Sequence, residues 1–404
     1  MDLELPPPTL VENSQGFGRL LADLERADEI AVDTEGDSFF SYPEKVCLIQ
    51  VTALERDWLV DPLAGFDIAG LGRAMADPRK LKIFHDGEYD VVSLKRDHGF
   101  QFKNLFDTRV AAAALGTQNP GLASVLEERF EIKLDKSMQR SEWSRRPLLP
   151  KQIRYAQLDT HFLVQLMHGQ RDELVSRGRM MIVEGECRRL ERLVPPEAEF
   201  DPDEFVRIKG ARELAPLDRQ VLRELYILRE RKAVELGRPP FKVIGNESLL
   251  AIATSRPRTL FQLGRVDGVS HGQTRKLGRD VLEAVERAME LGPLAKLPRL
   301  PNRDGTSGFS EQETELHERL KQWRKSAAGQ MGIDSAYLVN RHVLLRIARQ
   351  RPETAEALGR IEGIEPWQVQ QLGPAILGVV ETFGKDLAAG RIQFRRRPRA
   401  NRAE

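Results

Sequence analysis

Acidic residues near the start of the chain have the type and spacing of a metal site. Asp33 and Glu35 directly follow the apolar run at 30–32. In a β-strand, residues two apart project from the same face, so the two carboxylates would point the same way. Like charges on one buried face repel each other, and a divalent cation would neutralise them. The alternative is a strand that ends here and turns into solvent, where acids are common.

Two acids further along the chain fit the same chemistry. Asp90 follows the apolar segment KIFH and lies near the start of a predicted helix, where the helix dipole favours a carboxylate. Asp159 lies in the helical segment RYAQLDTHFL, and Tyr155 is one turn before it on the same face. Taken alone, a tyrosine and an aspartate at this spacing are more often an exposed hydrogen-bonded pair.

Oxygen is the expected ligand atom for any metal, because Mg²⁺ and Mn²⁺ prefer oxygen and the acids supply it. The two cysteines, Cys47 and Cys187, are far apart in the chain. Neither a disulfide framework nor a cysteine-rich metal site is therefore expected.

The elements that must position these acids have an α/β pattern. Between residue 29 and about residue 166, short β-rich runs alternate with longer helical ones, which favours a sheet covered by helices. Strands are predicted at EIAVDTE, VCLIQVT, DWLVD and LKIFH, and the first three are predicted to form an antiparallel meander. Helices are predicted in EYDVVSLKRDHG, TRVAAAALG and LASVLEERF, and no strand is expected beyond residue 150.

The composition limits the classes of protein to consider. With 404 residues, 41% apolar and 30% charged, the chain is expected to be a soluble globular protein of two or three domains. No apolar run is long enough to cross a bilayer, and MDLELPPPTL lacks the pattern of a signal peptide, so a cytoplasmic location is expected. The formal net charge of +1 means that any nucleic-acid binding must come from local basic patches.

The second half of the chain contains an internal repeat. The segment that starts at Leu249 aligns without gaps on the segment that starts at Leu344, and the shared positions are mostly small or apolar. Core and turn positions therefore recur while surfaces differ, which predicts two related helical domains. The segments at 194–204 and 296–308 are rich in proline, glycine or polar residues and are predicted linkers.

Three motifs and this repeat together resemble a known family. The motifs are VDTEG at 32–36, FHDGEYDVVSL at 84–94 with FDT at 106–108, and YAQLD at 155–159. They resemble the DEDD exonucleases of the tyrosine-containing subclass, and the stretch at 134–159 resembles the ribonuclease D family almost along its length. The helical repeats resemble HRDC domains, so the resemblance covers nearly the whole chain and includes the domain order.

The resemblance implies a fold and a set of domain limits. It implies an α/β DEDD exonuclease domain at 1–195, in which helices flank a ribonuclease H-like mixed sheet. All-α HRDC domains follow at 206–295 and 309–390, and the chain ends in a basic tail at 391–404.

The resemblance also implies the site. It assigns the four acids Asp33, Glu35, Asp90 and Asp159 to two divalent cations, Mg²⁺ or Mn²⁺. It assigns Tyr155 to the orientation of the attacking water, which would make these five residues the catalytic set. The unperturbed pKa of a phenol, near 10, favours positioning over proton abstraction, although a partly activated phenol remains an alternative.

Neighbouring polar residues are interpreted as structural. Asp86 and Glu88 are expected to be helix-start acids, and His85 is expected to be a hydrogen-bonded residue at a strand end without a metal role. Asp107 in FDT is expected to cap the helix that follows. The family often has a small residue at position 86, so the acid here is expected to change only the local electrostatics.

Basic residues are the candidates for holding RNA, because phosphates bind arginine and lysine while bases stack on aromatic rings. Near the third motif the candidates are Arg140, Trp143, Arg145 and Arg146, and in the first repeat they are Arg275 and Lys276. The alternative for the first group is a solvated loop with one packed tryptophan. The second repeat has fewer basic residues, so the first is predicted to contact RNA and the second to serve in packing or positioning. The tail either adds nonspecific attraction or is a solubilising end.

The predicted function is a two-metal-ion 3′-to-5′ exoribonuclease that releases nucleoside 5′-monophosphates from RNA 3′ ends. The resemblance points to tRNA precursors as its partners, and neither a membrane nor a protein partner is predicted. Two alternatives stay open. One is a DNA-directed proofreading or repair exonuclease, since the same four acids serve DNA. The other is a catalytically silent RNA-binding scaffold.

Overall fold

The computed structural model describes residues 5–196, 199–301 and 305–392. Of the predicted basic tail, all but the first two residues lie outside this described part. Among the helices of the described residues, none is both long and apolar enough to span a membrane. The domain limits given above stay predictions.

A mixed six-stranded sheet forms the centre of the N-terminal domain. Its spatial order is β1-β4-β3-β2-β5-β6, in which β2, β3 and β4 pair antiparallel while β1–β4, β2–β5 and β5–β6 pair parallel. The strands are β1 (Thr9–Val11), β2 (Glu29–Gly36), β3 (Val46–Ala53), β4 (Arg56–Val60), β5 (Leu81–Phe84) and β6 (Leu105–Asp107). The predicted strands and the meander are confirmed. β1 and β6, with three residues each, were not predicted.

The position of β2 explains why its acids lie at a site. β2 is an inner strand, and its residues Ile30, Ala31 and Val32 are at most 1% exposed. β5 runs parallel to it, with Ala31 paired to Ile83. The carboxyl ends of the two strands therefore lie at the same edge of the sheet, which is where open α/β sheets place their ligands.

Eight helices surround this sheet in the described residues. They are α1 (Ser14–Arg26), α2 (Ala69–Ala76), α3 (Glu88–His98), α4 (Thr108–Leu115), α5 (Leu122–Phe130), α6 (Pro150–His161), α7 (Leu163–Ser176) and α8 (Met180–Arg192). α6 contacts β2, β3 and β4, and α3 directly follows β5. α3 and α6 are therefore the helices that bring side chains to the edge where β2 ends.

The repeat appears as two helical units with the same order of helices. The first contains α9 (Pro216–Leu236), α10 (Pro240–Val243), α11 (Asn246–Ser255), α12 (Leu260–Leu263) and α13 (His271–Leu291). The second contains α14 (Glu311–Met331), α15 (Ser335–Leu338), α16 (Arg341–Gln350), α17 (Ala355–Gly359) and α18 (Pro366–Ala388). Arg256 after α11 and Arg351 after α16 both have a φ of 47°, so the units match even at a left-handed turn.

The hydrophobic cores divide the molecule unequally. One core runs from the sheet through Leu190 on α8 into the second unit, where it includes Leu316 and Ile347. The first unit has a core of its own, which includes Phe205 and Val221. The second unit is therefore packed onto the N-terminal domain, although the first precedes it in the chain.

Candidate active site

Three of the predicted acids meet at the end of β2. Asp33, Glu35 and Asp159 each contribute a carboxylate oxygen to a group in which these atoms lie within 4.8 Å of one another. They line a cavity of about 310 Å³, together with Asp90 and Tyr155. The structure thus brings all five residues of the predicted catalytic set to one cavity, although their roles stay predictions.

Helix α6 is fixed so that Asp159 and Tyr155 face this cavity. It begins with Pro150, and the Gln152 side chain accepts a hydrogen bond from the Leu149 N–H at 2.9 Å. On its other face, Gln157 donates to Asp57 at 2.8 Å. Ala156 and Thr160 are buried there as well. The face that carries Tyr155 and Asp159 is left to line the cavity.

Tyr155 lies beside Asp159, and its hydroxyl is hydrogen-bonded to that carboxylate. Burial and the nearby carboxylates of Asp159, Glu35 and Asp33 hold the pKa of this phenol well above its usual range. In the metal-free chain the hydroxyl therefore stays protonated near neutral pH, which favours a role in positioning.

Asp90 is held next to the group of three by a residue that the sequence did not single out. The Thr34 hydroxyl donates to Asp90 Oδ1 at 2.5 Å, and both residues are buried. α3, which carries Asp90, starts after a turn at Gly87, where an added Cβ would lie 2.5 Å from Phe84 Cβ. Only glycine fits so close an approach of the turn to β5.

The carboxyl groups are electrostatically unfavourable in their ionised form. Burial, followed by the charges of Asp159 and Asp90, raises the pKa of Glu35 to about 9. Burial and Asp90 raise the pKa of Asp159 to about 8, and burial raises that of Asp90 to about 7. Burial and the other three carboxylates also raise the pKa of Asp33 well above its usual value. Four buried carboxylates that repel one another are expected where a protein binds a cation.

The donor set fits hard divalent cations. All its atoms are carboxylate oxygens, which Mg²⁺ and Mn²⁺ prefer. The oxygens of Asp33, Glu35 and Asp159 lie within 4.8 Å of one another, close enough for one cation to contact more than one of them.

The residues interpreted as structural have structural partners. Asp107 caps α4 by accepting from the Arg109 and Val110 N–H groups at 2.9 and 3.1 Å. His85 Nδ1 lies 2.8 Å from the Thr108 hydroxyl, and burial together with Arg109 lowers the pKa of His85 to about 3. A histidine that is neutral at pH 7 and so weakly basic is a poor general base.

Asp86 and Glu88 form ion pairs at the start of α3. Asp86 is exposed in the turn, where it pairs with Arg109, and Glu88 pairs with Arg189 on α8. Asp86 and Arg109 both line the cavity at the end of β2. The acid at position 86 thus has a local electrostatic effect, as expected, through one identifiable arginine.

Trp143 requires a correction. Its side chain is 0% exposed and packs with Ala156 and Leu48, and its ring centroid lies 5.9 Å from that of Tyr155. The predicted stacking of RNA bases on this ring is wrong, since a fully buried ring offers no face to a base. The packed-tryptophan alternative holds, and the ring supports Tyr155 from behind.

Arg146 requires a correction as well. Its guanidinium makes a two-point contact with Asp61 at 2.5 and 2.7 Å and donates to the carbonyls of Cys47 and Trp143, both at 2.7 Å. The guanidinium thus joins the loop before α6 to the sheet, and its donors are not available to hold an RNA phosphate. No local sequence pattern indicates this long-range partner.

The remaining RNA candidates are exposed. Arg140 and Arg145 lie on the surface before α6, and Arg275 and Lys276 lie on the exposed face of α13. Arg140 also lies over the Phe39 ring, 5.8 Å from its centroid. Their contacts with RNA stay predictions.

The cavity also contains polar residues that the site prediction omitted. Arg109, Lys136, Gln139 and Tyr89 line it beside the carboxylates. Lys136 and Arg109 bring positive charge to a cavity that is otherwise acidic. The sequence signals for them were the basic stretch before the third motif, which begins at Lys136, and the position of Tyr89 and Arg109 in or beside the second motif.

Comparison with known proteins agrees with this site. A 3′-5′ exonuclease family model matches residues 8–174, and an HRDC domain model matches residues 218–285 and 313–380. Ribonuclease D of Sphingobium indicum is 30% identical over 383 residues, which are 92% of this chain and 94% of that protein. Ribonuclease D of Zymomonas mobilis is 33% identical over 290 residues, which are 70% of this chain and 73% of that protein.

A solved structure shows the same relationship. The catalytic core of RRP6 from Trypanosoma brucei is 29% identical, with a TM-score of 0.67 over 72% of this chain and 82% of that one. Fold and site together define a 3′-5′ exonuclease that carries HRDC domains. Within that class, the identity and coverage show that the chain belongs to the ribonuclease D family.

Proposed function

We propose that this chain is a two-metal-ion exoribonuclease that removes nucleoside 5′-monophosphates from the 3′ ends of tRNA precursors. The observation that carries the proposal is the group of Asp33, Glu35 and Asp159 oxygens within 4.8 Å of one another, next to Tyr155. The relatives named ribonuclease D support RNA as the substrate class.

The acids would hold the two cations. Asp33, Glu35 and Asp159 supply the close group of oxygens, and Asp90 adds a carboxylate at its side. When bound, such ions lower the pKa of water and neutralise the charge that develops on the phosphate. The raised pKa values of these carboxyls fit this use, because burial and mutual repulsion raise them and a bound cation would favour the ionised form.

The other cavity residues would orient the reacting groups. The protonated Tyr155 hydroxyl is fixed by Asp159 and by the packing of Trp143, so it can orient a water molecule without removing its proton. Lys136 and Arg109 would attract the RNA phosphates into the acidic cavity. We propose that the exposed Arg140 and Arg145 contact the strand outside it.

The test is digestion of a 5′-labelled, 3′-extended tRNA precursor, with a single-stranded RNA and a DNA of the same sequence alongside. Products are resolved at single-nucleotide length with Mg²⁺, Mn²⁺ or EDTA. We expect stepwise shortening of both RNAs from the 3′ end, dependence on the metal, and much slower loss of the DNA.

The Asp33→Asn variant tests the role of the acids, because it removes the charge of one proposed metal ligand at nearly constant side-chain volume. We expect it to abolish shortening. A variant as fast as the wild type would favour the silent scaffold, and equal rates on RNA and DNA would favour a DNA-directed exonuclease.

A further inference from the structure

The two helical units differ sharply at one exposed position. Phe261 on α12 is 68% exposed, more than any other aromatic residue that the structure describes. The repeat alignment places Glu356 on α17 opposite it. The backbone is alike at both places, since each short helix follows a left-handed residue with a φ of 47°. Only the side chains have diverged, so the fold does not require the exposed ring.

Arginines surround this ring. The Arg265 guanidinium lies 4.4 Å from the centroid of the Phe261 ring. Arg258 and Arg265, with Arg256, line an open groove of about 640 Å³ next to it. The second unit has Glu353 where the first has Arg258. Phe261 and Arg258 of the first unit therefore correspond to Glu356 and Glu353 of the second.

The groove has few acidic groups to balance these cations. Asp267 lines it, and Asp218 lies 3.4 Å from Arg256. In the described part of the chain, neither Arg258 nor Arg265 has a carboxylate within the 4.0 Å of an ion pair. Two guanidinium groups are therefore available to an external anion.

We propose that Arg258, Phe261 and Arg265, called here the Phe261 surface, bind single-stranded RNA. The proposal rests on the proposed function and adds a second contact for the substrate, away from the catalytic cavity. Every base has a flat face that can stack on an exposed ring, and the phosphates of the same strand can pair with flanking arginines. A strand held there would be retained while its 3′ end is shortened.

Charge favours RNA over a protein partner at this surface. A second copy of the chain could cover Phe261, but it would have to bury Arg258 and Arg265 or provide acids against them, and desolvated cations without partners are costly. RNA can stack a base on the Phe261 ring while its phosphates pair with Arg258 and Arg265.

The test uses the second unit as its template. Arg258→Glu/Phe261→Glu gives the first unit the residues that the second carries on the same backbone, so it is expected to fold. The matched control is Glu353→Gln/Glu356→Gln in the second unit. Fluorescence anisotropy with labelled oligouridine of about 20 nucleotides, in EDTA, measures binding without hydrolysis. We expect the first variant to raise Kd about tenfold and to reduce the salt slope of binding by about 1, and the control to change neither.

Two further measurements separate the possible outcomes. Phe261→Leu keeps an apolar side chain but loses the aromatic face, and it is expected to weaken binding by about fivefold with the salt slope unchanged. An unchanged Kd in the double variant would overturn the proposal. So would a loss of self-association in sedimentation without a change in RNA affinity, because the surface would then bind a second copy.

Hydrolysis of a dinucleotide distinguishes this proposal from the proposed function. A dinucleotide is too short to extend beyond the cavity, so we expect the double variant to cleave it at the wild-type rate. If the wild type cleaved no RNA, the proposed function would be wrong, and the anisotropy titration would still decide whether the Phe261 surface binds RNA.

Discussion

The four carboxylates that line the cavity at the end of β2 have raised pKa values. At pH 7 the pKa values of Glu35, Asp159 and Asp90, at about 9, 8 and 7, mean that the folded chain retains protons that ordinary carboxyls release. The unfolded chain has values near 4 and releases them. Folding and ion binding are therefore linked through these few groups.

This linkage predicts a dependence of stability on pH. Because the folded pKa values are raised, the metal-free protein should lose stability as pH rises from about 4 through the values of about 7 to 9. A bound cation favours the ionised form and should cancel this loss. We expect the rise in Tm caused by saturating Mn²⁺ to grow between pH 5 and pH 9, as measured by thermal unfolding with Mn²⁺ or with EDTA. A metal effect that is the same at every pH would contradict the linkage.

The Tyr155 hydroxyl gives a second prediction. Tyr155→Phe leaves the four carboxylates in place, so we expect metal affinity to stay within about threefold while kcat falls by about 100-fold, the cost of a misplaced nucleophile. Steady-state kinetics and calorimetric Mn²⁺ titration measure the two effects. The control is Tyr42→Phe, which also removes a hydroxyl bonded to a carboxylate, Glu230, but outside the cavity. Similar losses of kcat in both variants would deny Tyr155 a specific role.

Single residues show where the sequence was informative. The alternation of a strand correctly placed Asp33 and Glu35 on one face, and helical spacing placed Tyr155 with Asp159. Alternation alone would put Thr34 on the opposite face of β2, yet its hydroxyl reaches Asp90. The burial of Trp143 depends on contacts with Leu48 and Ala156 that are distant in sequence. Local patterns carry no information about such contacts.

Among the elements, the turn before α3 and the start of α4 depend on one side chain. Asp107 accepts from the N–H groups of Asp86 and Gly87 at 3.1 and 2.8 Å, in addition to the two that it caps on α4. Its side chain is almost completely buried. It therefore joins the turn that leads to Asp90 to the end of β6.

We expect Asp107→Ala to destabilise the protein by about 3 kcal/mol, because it removes a helix cap and leaves further buried N–H groups without an acceptor. Asp67→Ala is the matched control. Among the described residues, Asp67 accepts only from the Ala69 N–H, at an exposed helix start, so we expect a loss of about 1 kcal/mol or less. Denaturant unfolding measures both. Equal losses would show that Asp107 acts as an ordinary cap.

Elements with clear periodicity were predictable. The four predicted strands and the helices α3, α4 and α5 lie at nearly their predicted limits, whereas α1 and α2 were not predicted. β1 and β6 have three residues each and exist because they pair with β4 and β5. Such short strands are set by tertiary pairing, so their sequences alone do not predict them.

Over the whole molecule, the second helical unit shares its core with the exonuclease domain. Arg179 donates to the Met331 carbonyl at 2.5 Å, and Arg188 donates to Glu365 at 2.9 Å. The first unit instead touches that domain at a small junction, where the Tyr42 N–H donates to the Gly237 carbonyl at 3.2 Å. The two related units therefore differ in how they contact the N-terminal domain. The second shares its hydrophobic core, and the first is attached through a small contact.

Substitutions at two glycines test whether the second unit and the N-terminal domain share one core. A Cβ added at Gly185 on α8 would lie 3.1 Å from Glu365 Cγ and 3.2 Å from Trp367 Nε1 in the second unit, whereas one added at Gly169 on α7 meets nothing within 4 Å. Gly185→Leu should overpack the interface and cost about 2 kcal/mol. Gly169→Leu should gain about 0.5 kcal/mol from helix propensity. Calorimetry should show Gly185→Leu lowering the transition of the exonuclease domain together with the second unit, while the first unit unfolds as before. A shift confined to the second unit would mean that the two do not share one cooperative core.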